Sequence, residues 1–233
     1  MLHVGICGFS VSQKELFDTF RLVEVQKTFY SPPMEKTVKR WRKNAPEDFE
    51  FTVKAWQVIT HPSSSPTYRK MSREAGNPDH FGFFQPTREV SNAFDITASL
   101  AQLLEARIIV FQTPKSFKQS SKAIGNIRGF FSSLPEKFTY VWESRGDWDP
   151  ATIQDLCEDL GIIDGVDPFR RRPTTEQKYF RLHGSPPGKN MYSYTYTLED
   201  LEKLRACCRD QDYVLFNNMS MVDDAHSFLA LLQ

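Results

Sequence analysis

The sequence predicts a single α/β domain, a (β/α)8 TIM-type barrel over residues 1–233, and three observations carry that prediction. Short runs rich in β-branched and aromatic residues alternate with segments of helical period, the pattern of βα units. Eight such runs fit in 233 residues, about 29 per unit, and the usual range of this fold begins near ~200 residues. The competing architecture, an open doubly wound sheet, calls for a glycine-rich phosphate loop after the first strand, and Gly5-Ile6-Cys7-Gly8-Phe9-Ser10 lacks the third glycine.

The elements follow in order. His3 to Cys7 is the first strand, and Ser12-Gln13-Lys14-Glu15 is a capping-box start for a helix running to Phe20. Leu22 to Val25 is the second strand. The turn Ser31-Pro32-Pro33 leads into a helix with Met34, Val38 and Trp41 on one face. Glu50 to Lys54 is the third strand. An insertion from Gln57 to Pro86 carries Pro62, Pro66, Gly76, Pro78 and Gly82, so much of it reads as loop, and a long loop in a compact domain points to function. From Val90 through Ala93, Phe94, Thr97, Leu100 and Leu104 a 3.6-residue period marks a helix.

Arg107 to Phe111 is the fourth strand. Ile124, Ile127, Phe131 and Leu134 mark a helix that Gly125 and Gly129 weaken. Phe138 to Glu143 is the fifth strand, followed by a helix with Asp149 as N-cap, Pro150 at its first position and Gly161 as its stop. Ile162 to Val166 is a short sixth strand. Asp167 to Gln177 is too rich in proline and arginine for a good helix, so the sixth helix is weak or absent. Tyr179 to His183 is the seventh strand. Thr197 caps a helix with Leu198, Leu201 and Leu204, Tyr213 to Phe216 is the eighth strand, and Asp223 to Leu232 closes the chain as a helix.

Composition narrows the function. Lys and Arg number 29 against 29 Asp and Glu, a net charge of zero, so no broad positive field invites non-specific nucleic-acid binding. No apolar run approaches ~20 residues, which predicts no membrane partner. Cys7, Cys157, Cys207 and Cys208 show neither a disulfide nor a zinc spacing. With no basic n-region or long apolar run at the N-terminus, a cytoplasmic location is expected.

The polar residues on the strands are the informative feature. Side chains alternate along a strand. With Val23, Val53, Trp142, Leu182 and Phe216 facing the helices, Glu24, Lys54, Glu143, Arg181, His183 and Asn217 face the interior, with Arg145 and Asp167 just beyond their strands. Most sit late in their strands, toward the barrel face that hosts the active sites of this fold. Lys54, Arg145 and Arg181 are the expected anion clamp, because guanidinium forks match phosphate and carboxylate oxygens. Glu143 and Glu24 are candidates for general acid and base, and His183, which precedes Gly184-Ser185-Pro186-Pro187-Gly188, for a proton shuttle. Cys7 reads as a buried inert thiol. Arg170-Arg171-Arg172 and the tyrosine-rich Met191–Tyr196 segment, with Tyr194, fall in loops near the mouth and offer a polyanion or base-stacking surface. His3, His61, His80, His183 and His226 have no metal-ligand spacing. No metal site and no cofactor are therefore predicted, and a Mg²⁺ on one or two carboxylates is the sole metal option left open.

The blocks Phe20–Tyr30, Trp41, Phe49–Lys54 with Ile59-Thr60-His61, Phe111–Phe117, Trp142–Trp148, Tyr179–Gly184, Tyr194 and Phe216-Asn217-Asn218 together resemble the YecE-like family of TIM-barrel proteins, domain of unknown function 72. The resemblance implies a TIM barrel and a shared pocket of Glu24, Tyr30, Lys54, Gln112, Glu143, Arg145, Arg181, His183 and Asn217. It supplies no reaction. The fold is similar to phosphodiester-cleaving barrels of the endonuclease-IV type, whose metal-binding histidine array has no counterpart here. The chain departs from the family at Gly5–Phe9, at Gln26-Lys27 and at Gly146, where the family carries a histidine.

Three functions are expected, in this order. The first is a hydrolase-type enzyme that binds and cleaves a phosphate-bearing ligand, a nucleotide or nucleic-acid phosphodiester, at the C-terminal mouth. The second is a non-catalytic nucleic-acid-binding module. The third is a sugar or carboxylate enzyme using Glu24 and Glu143 as a carboxylate pair. The expected partner is an anionic small molecule or a nucleic acid, and the oligomeric state is left open.

Overall fold

Alternation along eight short strands sets the architecture, because each strand has one face for the interior and one for the helices. The computed structural model describes residues 1–184 and 191–233. The strands are β1 (His3–Cys7), β2 (Leu22–Val25), β3 (Glu50–Lys54), β4 (Ile108–Thr113), β5 (Thr139–Ser144), β6 (Ile163–Val166), β7 (Tyr179–Leu182) and β8 (Tyr213–Phe216). They pair in parallel and in chain order, and β8 returns to β1 with Ile6 opposite Phe216, so the sheet closes into a barrel. No sheet edge is left open.

Cys7, Leu22, Ile108, Val110, Val141, Ile163, Tyr179, Tyr213 and Leu215 pack together inside the barrel. The opposite faces, among them Val23, Val53, Phe111, Trp142, Phe180 and Phe216, belong to the larger core under the helices. These helices are α1 (Gln13–Thr19), α2 (Lys27–Tyr30), α3 (Glu35–Asn44), α4 (Gln57–Thr60), α5 (Arg88–Leu103), α6 (Ser121–Ser132), α7 (Pro150–Leu160), α8 (Leu198–Cys207) and α9 (Met221–Leu231). Their ends carry the expected chemistry. Ser12 accepts from the Glu15 amide, and Asp149 caps α7 ahead of Pro150. Gly161 ends α7 in the left-handed region at φ 61°, and Thr197 and Asp200 form a reciprocal capping box on α8. No helix lies between β6 and β7 among the described residues, as the proline- and arginine-rich segment predicts. No described helix is long and apolar enough to cross a membrane, and the four cysteines are unpaired.

The 57–86 insertion is more ordered than its composition suggests. It holds α4 and two short 3₁₀ segments, Pro66–Lys70 and Pro78–His80. Gly82, Phe83 and Phe84 follow in the left-handed region with φ of 84°, 56° and 53°. Such a backbone costs a non-glycine residue roughly 1 kcal/mol or more. Three hydrogen bonds back to α4 offset it: Gly82 N–H to Val58 O at 2.8 Å, Phe84 N–H to Ile59 O at 3.0 Å and Phe83 N–H to Thr60 O at 3.2 Å. Phe84 is buried against Phe111, Phe130 and Phe131, a burial that contributes about 1.5–3 kcal/mol. The insertion is thereby laced to its own beginning.

Candidate functional site

The C-terminal half of the interior is polar because inward positions late in the strands carry charge. Arg181, on β7, lies at its foot and is 0 % exposed. Its Nε donates to Glu24 Oε2 at 2.9 Å and its Nη2 to Glu24 Oε1 at 2.6 Å, while Nη1 donates to Glu143 Oε2. Glu24, equally buried, also accepts from Tyr179 Oη at 3.0 Å and from Gln26. Tyr179 Oη lies 2.8 Å from Thr52 Oγ1, which ties this layer to β3. Both carboxylates thus hold one guanidinium. The pairing resolves the cost of burying isolated charges, which would run to several kcal/mol each.

Glu143 connects foot to rim. Its Oε1 accepts from Arg145 Nε at 2.9 Å, Gln112 Nε2 at 3.0 Å and His183 Nε2 at 3.1 Å. Burial opposes its ionisation, yet Arg181, Arg145 and His183 outweigh burial and hold the carboxyl well below the usual range. Asn217 Nδ2 lies 3.0 Å from His183 Nδ1, so the partners assign a neutral imidazole with its proton on Nε2. Burial agrees, bringing His183 down to about 4.

At the rim the donors outnumber the acceptors. Lys54 Nζ donates to Gln112 Oε1 at 2.7 Å and sits 4.0 Å from the centre of the Phe29 ring. Burial, with Arg181 adding repulsion, lowers its pKa to about 7. Arg145 Nη1 donates to Tyr192 Oη at 3.1 Å, while Arg145 Nη2 and Ser144 Oγ are buried without a partner among the described residues. Asp167 accepts from the amides of His183 at 3.0 Å and Phe169 at 3.1 Å, yet burial raises its carboxyl to about 7.

Arg145 forms a wall shared by two cavities. One, of about 300 Å³, is lined by Tyr30, Lys54, His61, Gln112, Lys115 and Tyr192, among others. The other, of about 190 Å³, is lined by Glu143, Ser144, Asp167, Arg170 and His183, among others. Among the described residues the larger carries Lys54, Lys115 and Arg145 and no carboxylate on its wall. A cavity of about 800 Å³ lies away from this chemistry, between α5 and α6 outside the barrel. We take the rim cavities as the candidate site because the ionisable groups converge there.

Of the expected site residues, the structure gathers Glu24, Lys54, Gln112, Glu143, Arg145, Asp167, Arg181, His183 and Asn217 into one network, and Tyr30 lines the larger cavity. Four placements differ from expectation. Arg181 does not complete the anion clamp, because all three of its nitrogens are bonded to buried carboxylates. Glu24 is not a free acid or base, for the reciprocal reason. Tyr194 turns away to donate to Asp200 Oδ2 at 2.7 Å and secures the start of α8. Nor is the Arg170–Arg172 run a free basic strip, since Arg171 donates twice to buried Asp164, at 2.6 Å each. Ser185–Gly188, beside His183 in sequence, lie outside the described residues. Tyr192, from the tyrosine-rich segment expected near the mouth, lines the wall, whereas His61 and Lys115 were not expected there. For His61 and Lys115 the signal was their place in loops after β3 and β4, on the mouth side. Among the described residues no group of three or more His, Cys, Asp or Glu could hold a metal ion.

A family model described as "Protein of unknown function DUF72" matches residues 14–233. The chain belongs to this family. It is 26% identical over 287 aligned positions to the UPF0759 protein YunF of Bacillus subtilis, covering 100% of this chain and 94% of YunF. A solved DUF72 protein of Thermotoga maritima superimposes with TM-score 0.75 at 24% identity, covering 100% and 99% of the two chains. More distant barrels share the fold. A xylose isomerase domain containing protein of Salmonella typhimurium gives TM-score 0.60 at 13% identity, covering 97% and 93%. A family 2 AP endonuclease of Brucella melitensis gives 0.53 at 12%, covering 99% and 96%.

The DUF72 barrel also accounts for Gly146, which resemblance to the family marks as a departure from histidine. A Cβ at this position would lie 2.1 Å from the Phe117 carbonyl oxygen and 3.2 Å from the Trp148 ring. Trp148 Nε1 donates to that same carbonyl at 2.7 Å. The loop after β5 is folded around the absence of a side chain, and this close packing sits next to Arg145.

Proposed function

We propose that the rim site binds a phosphate-bearing ligand, a nucleotide or nucleic-acid phosphodiester, and hydrolyses it. The observation that carries the reading is the larger cavity, with Lys54, Lys115 and Arg145 on its wall and, among the described residues, no carboxylate. A phosphate supplies the negative charge that the wall around Lys54, Lys115 and Arg145 lacks among the described residues. Tyr30 and Tyr192 on the same wall offer flat faces to a base or sugar. The AP endonuclease among the structural neighbours is consistent with this reading at the level of fold alone.

Proton transfer falls to groups poised near neutrality. Glu143 is saturated and firmly ionised, whereas Asp167 and Lys54 both sit at about 7, on the two sides of Arg145. In this reading the phosphate lies against Arg145, the wall common to both cavities, water attacks phosphorus from the smaller cavity, where Asp167 takes the water's proton, and Lys54 in the larger one returns a proton to the leaving oxygen. Titration calorimetry with a dinucleoside monophosphate at low salt tests the reading, with hydrolysis followed by chromatography. Wild type binds, and Lys54→Met binds at least about tenfold more weakly, a 1.4 kcal/mol loss, with unchanged or higher thermal stability because a buried cation is removed. Absence of binding by wild type, or equal binding by the variant, overturns the reading.

A further inference from the structure

His61 lies on the wall of the larger cavity and is 6 % exposed. Its ring stands edge-on to Phe29, centroids 4.9 Å apart, and Phe29 is also the ring beneath Lys54 Nζ. His61 Nδ1 lies 2.8 Å from Thr60 Oγ1. Thr60 is 1 % exposed, and its hydroxyl has no other partner among the described residues. The hydroxyl proton must therefore go to Nδ1, because otherwise it would be buried unbonded. That leaves the ring proton on Nε2. Nε2 makes no hydrogen bond among the described residues, and it is not one of the buried unpaired atoms, so it opens on the cavity.

We propose that His61 is an uncharged hydrogen-bond donor of this site, presenting Nε2–H to a phosphate oxygen held by Lys54, with Thr60 as the positioning residue that fixes its tautomer. The proposal rests on the reading of the cavity as a phosphate site. Burial, then Lys54 and Arg145, lowers His61 to about 3, so the ring stays neutral beside two cations. The arrangement gives the laced insertion a purpose. Phe83 N–H bonds Thr60 O, Tyr68 Oη donates to His61 O at 2.9 Å, and a Cβ at Gly82 would lie 2.4 Å from the His61 carbonyl carbon. The segment grips the backbone of the Thr60–His61 pair on both sides.

The test combines two readouts. Nitrogen-15 chemical shifts of the free protein report the His61 tautomer. We expect Nε2–H in wild type, a mixture in Thr60→Val, and Nε2–H again in Thr60→Ser. Titration with the dinucleoside monophosphate then shows binding about tenfold weaker in His61→Phe, which lacks the donor, and about threefold weaker in Thr60→Val. Thr60→Ser and His61→Gln, whose amide reaches toward the Nε2 position, stay near wild type. An Nδ1–H tautomer in wild type overturns the proposal. So does wild-type affinity in both Thr60→Val and His61→Phe while Lys54→Met is weakened, and that pattern leaves the phosphate reading standing. No binding by wild type overturns both. If His61→Phe fails to fold, the Thr60→Val and Thr60→Ser pair decides.

Discussion

Arg181 and Arg145 both donate to Glu143, one from below and one from above, and they differ in what remains unspent. Every nitrogen of Arg181 is bonded, mostly to carboxylates, and the side chain is wholly buried. Arg145 is partly open and keeps one buried nitrogen without an acceptor among the described residues. The same contrast separates the layers they belong to. At the foot, two carboxylates saturate one guanidinium. At the rim, Lys54, Arg145 and His61 hold donors in excess. Charge alone does not mark a binding site; the spare hydrogen-bonding capacity around the charge does.

The largest effect that can break this contrast is at the foot. Arg181→Met leaves Glu24 and Glu143 buried with fewer partners, and loss of one side of such a pair costs about 3–5 kcal/mol. Urea denaturation should show a much lower midpoint with little change in slope. A loss below about 1 kcal/mol would mean that the foot is no more structural than the rim. Gly146→Ala comes next. Its Cβ meets the Phe117 carbonyl, and overpacking of this kind costs about 1–3 kcal/mol, read as a fall in melting temperature. An unchanged melting temperature would show that the loop after β5 yields freely.

The smallest effect sharpens the rim. Lys54 and Asp167 both titrate near 7. Lowering the pH through that value protonates Lys54, adding a positive charge, and protonates Asp167, removing a negative one. Both changes favour an anion. A phosphodiester keeps its own charge over this range, so its dissociation constant should fall by about tenfold from about pH 8.5 to about pH 6. A flat profile would separate Lys54 from the binding event.

Much of this arrangement is legible in the sequence alone. Alternation placed Glu24, Lys54, Glu143, Arg181 and His183 inside the barrel because Val23, Val53, Trp142 and Leu182 had to face the helices. Asp149-Pro150 and Gly161 set the limits of α7 because their preferred backbone conformations are local properties. Partnership was not legible, since it depends on which distant residue arrives opposite. Nothing in the run Arg170-Arg171-Arg172 says that Arg171 meets Asp164, and nothing near Tyr194 distinguishes Asp200 from a ligand. His61 was hidden for a related reason. Its role comes from Gly82, Phe83 and Tyr68 returning to grip it, which composition presents only as loop.

The Glu24–Arg181 pair has a further consequence, in time rather than space. Its members are separated by 157 positions along the chain, and they meet only when β7 has taken its place across the barrel from β2. Contacts so distant in sequence are penalised by loop closure until the rest of the fold is assembled. The pair therefore forms late in folding, and interactions absent from the transition state act mainly on the rate of opening. This buried guanidinium is therefore expected to hold the closed barrel against opening rather than to hasten its closure.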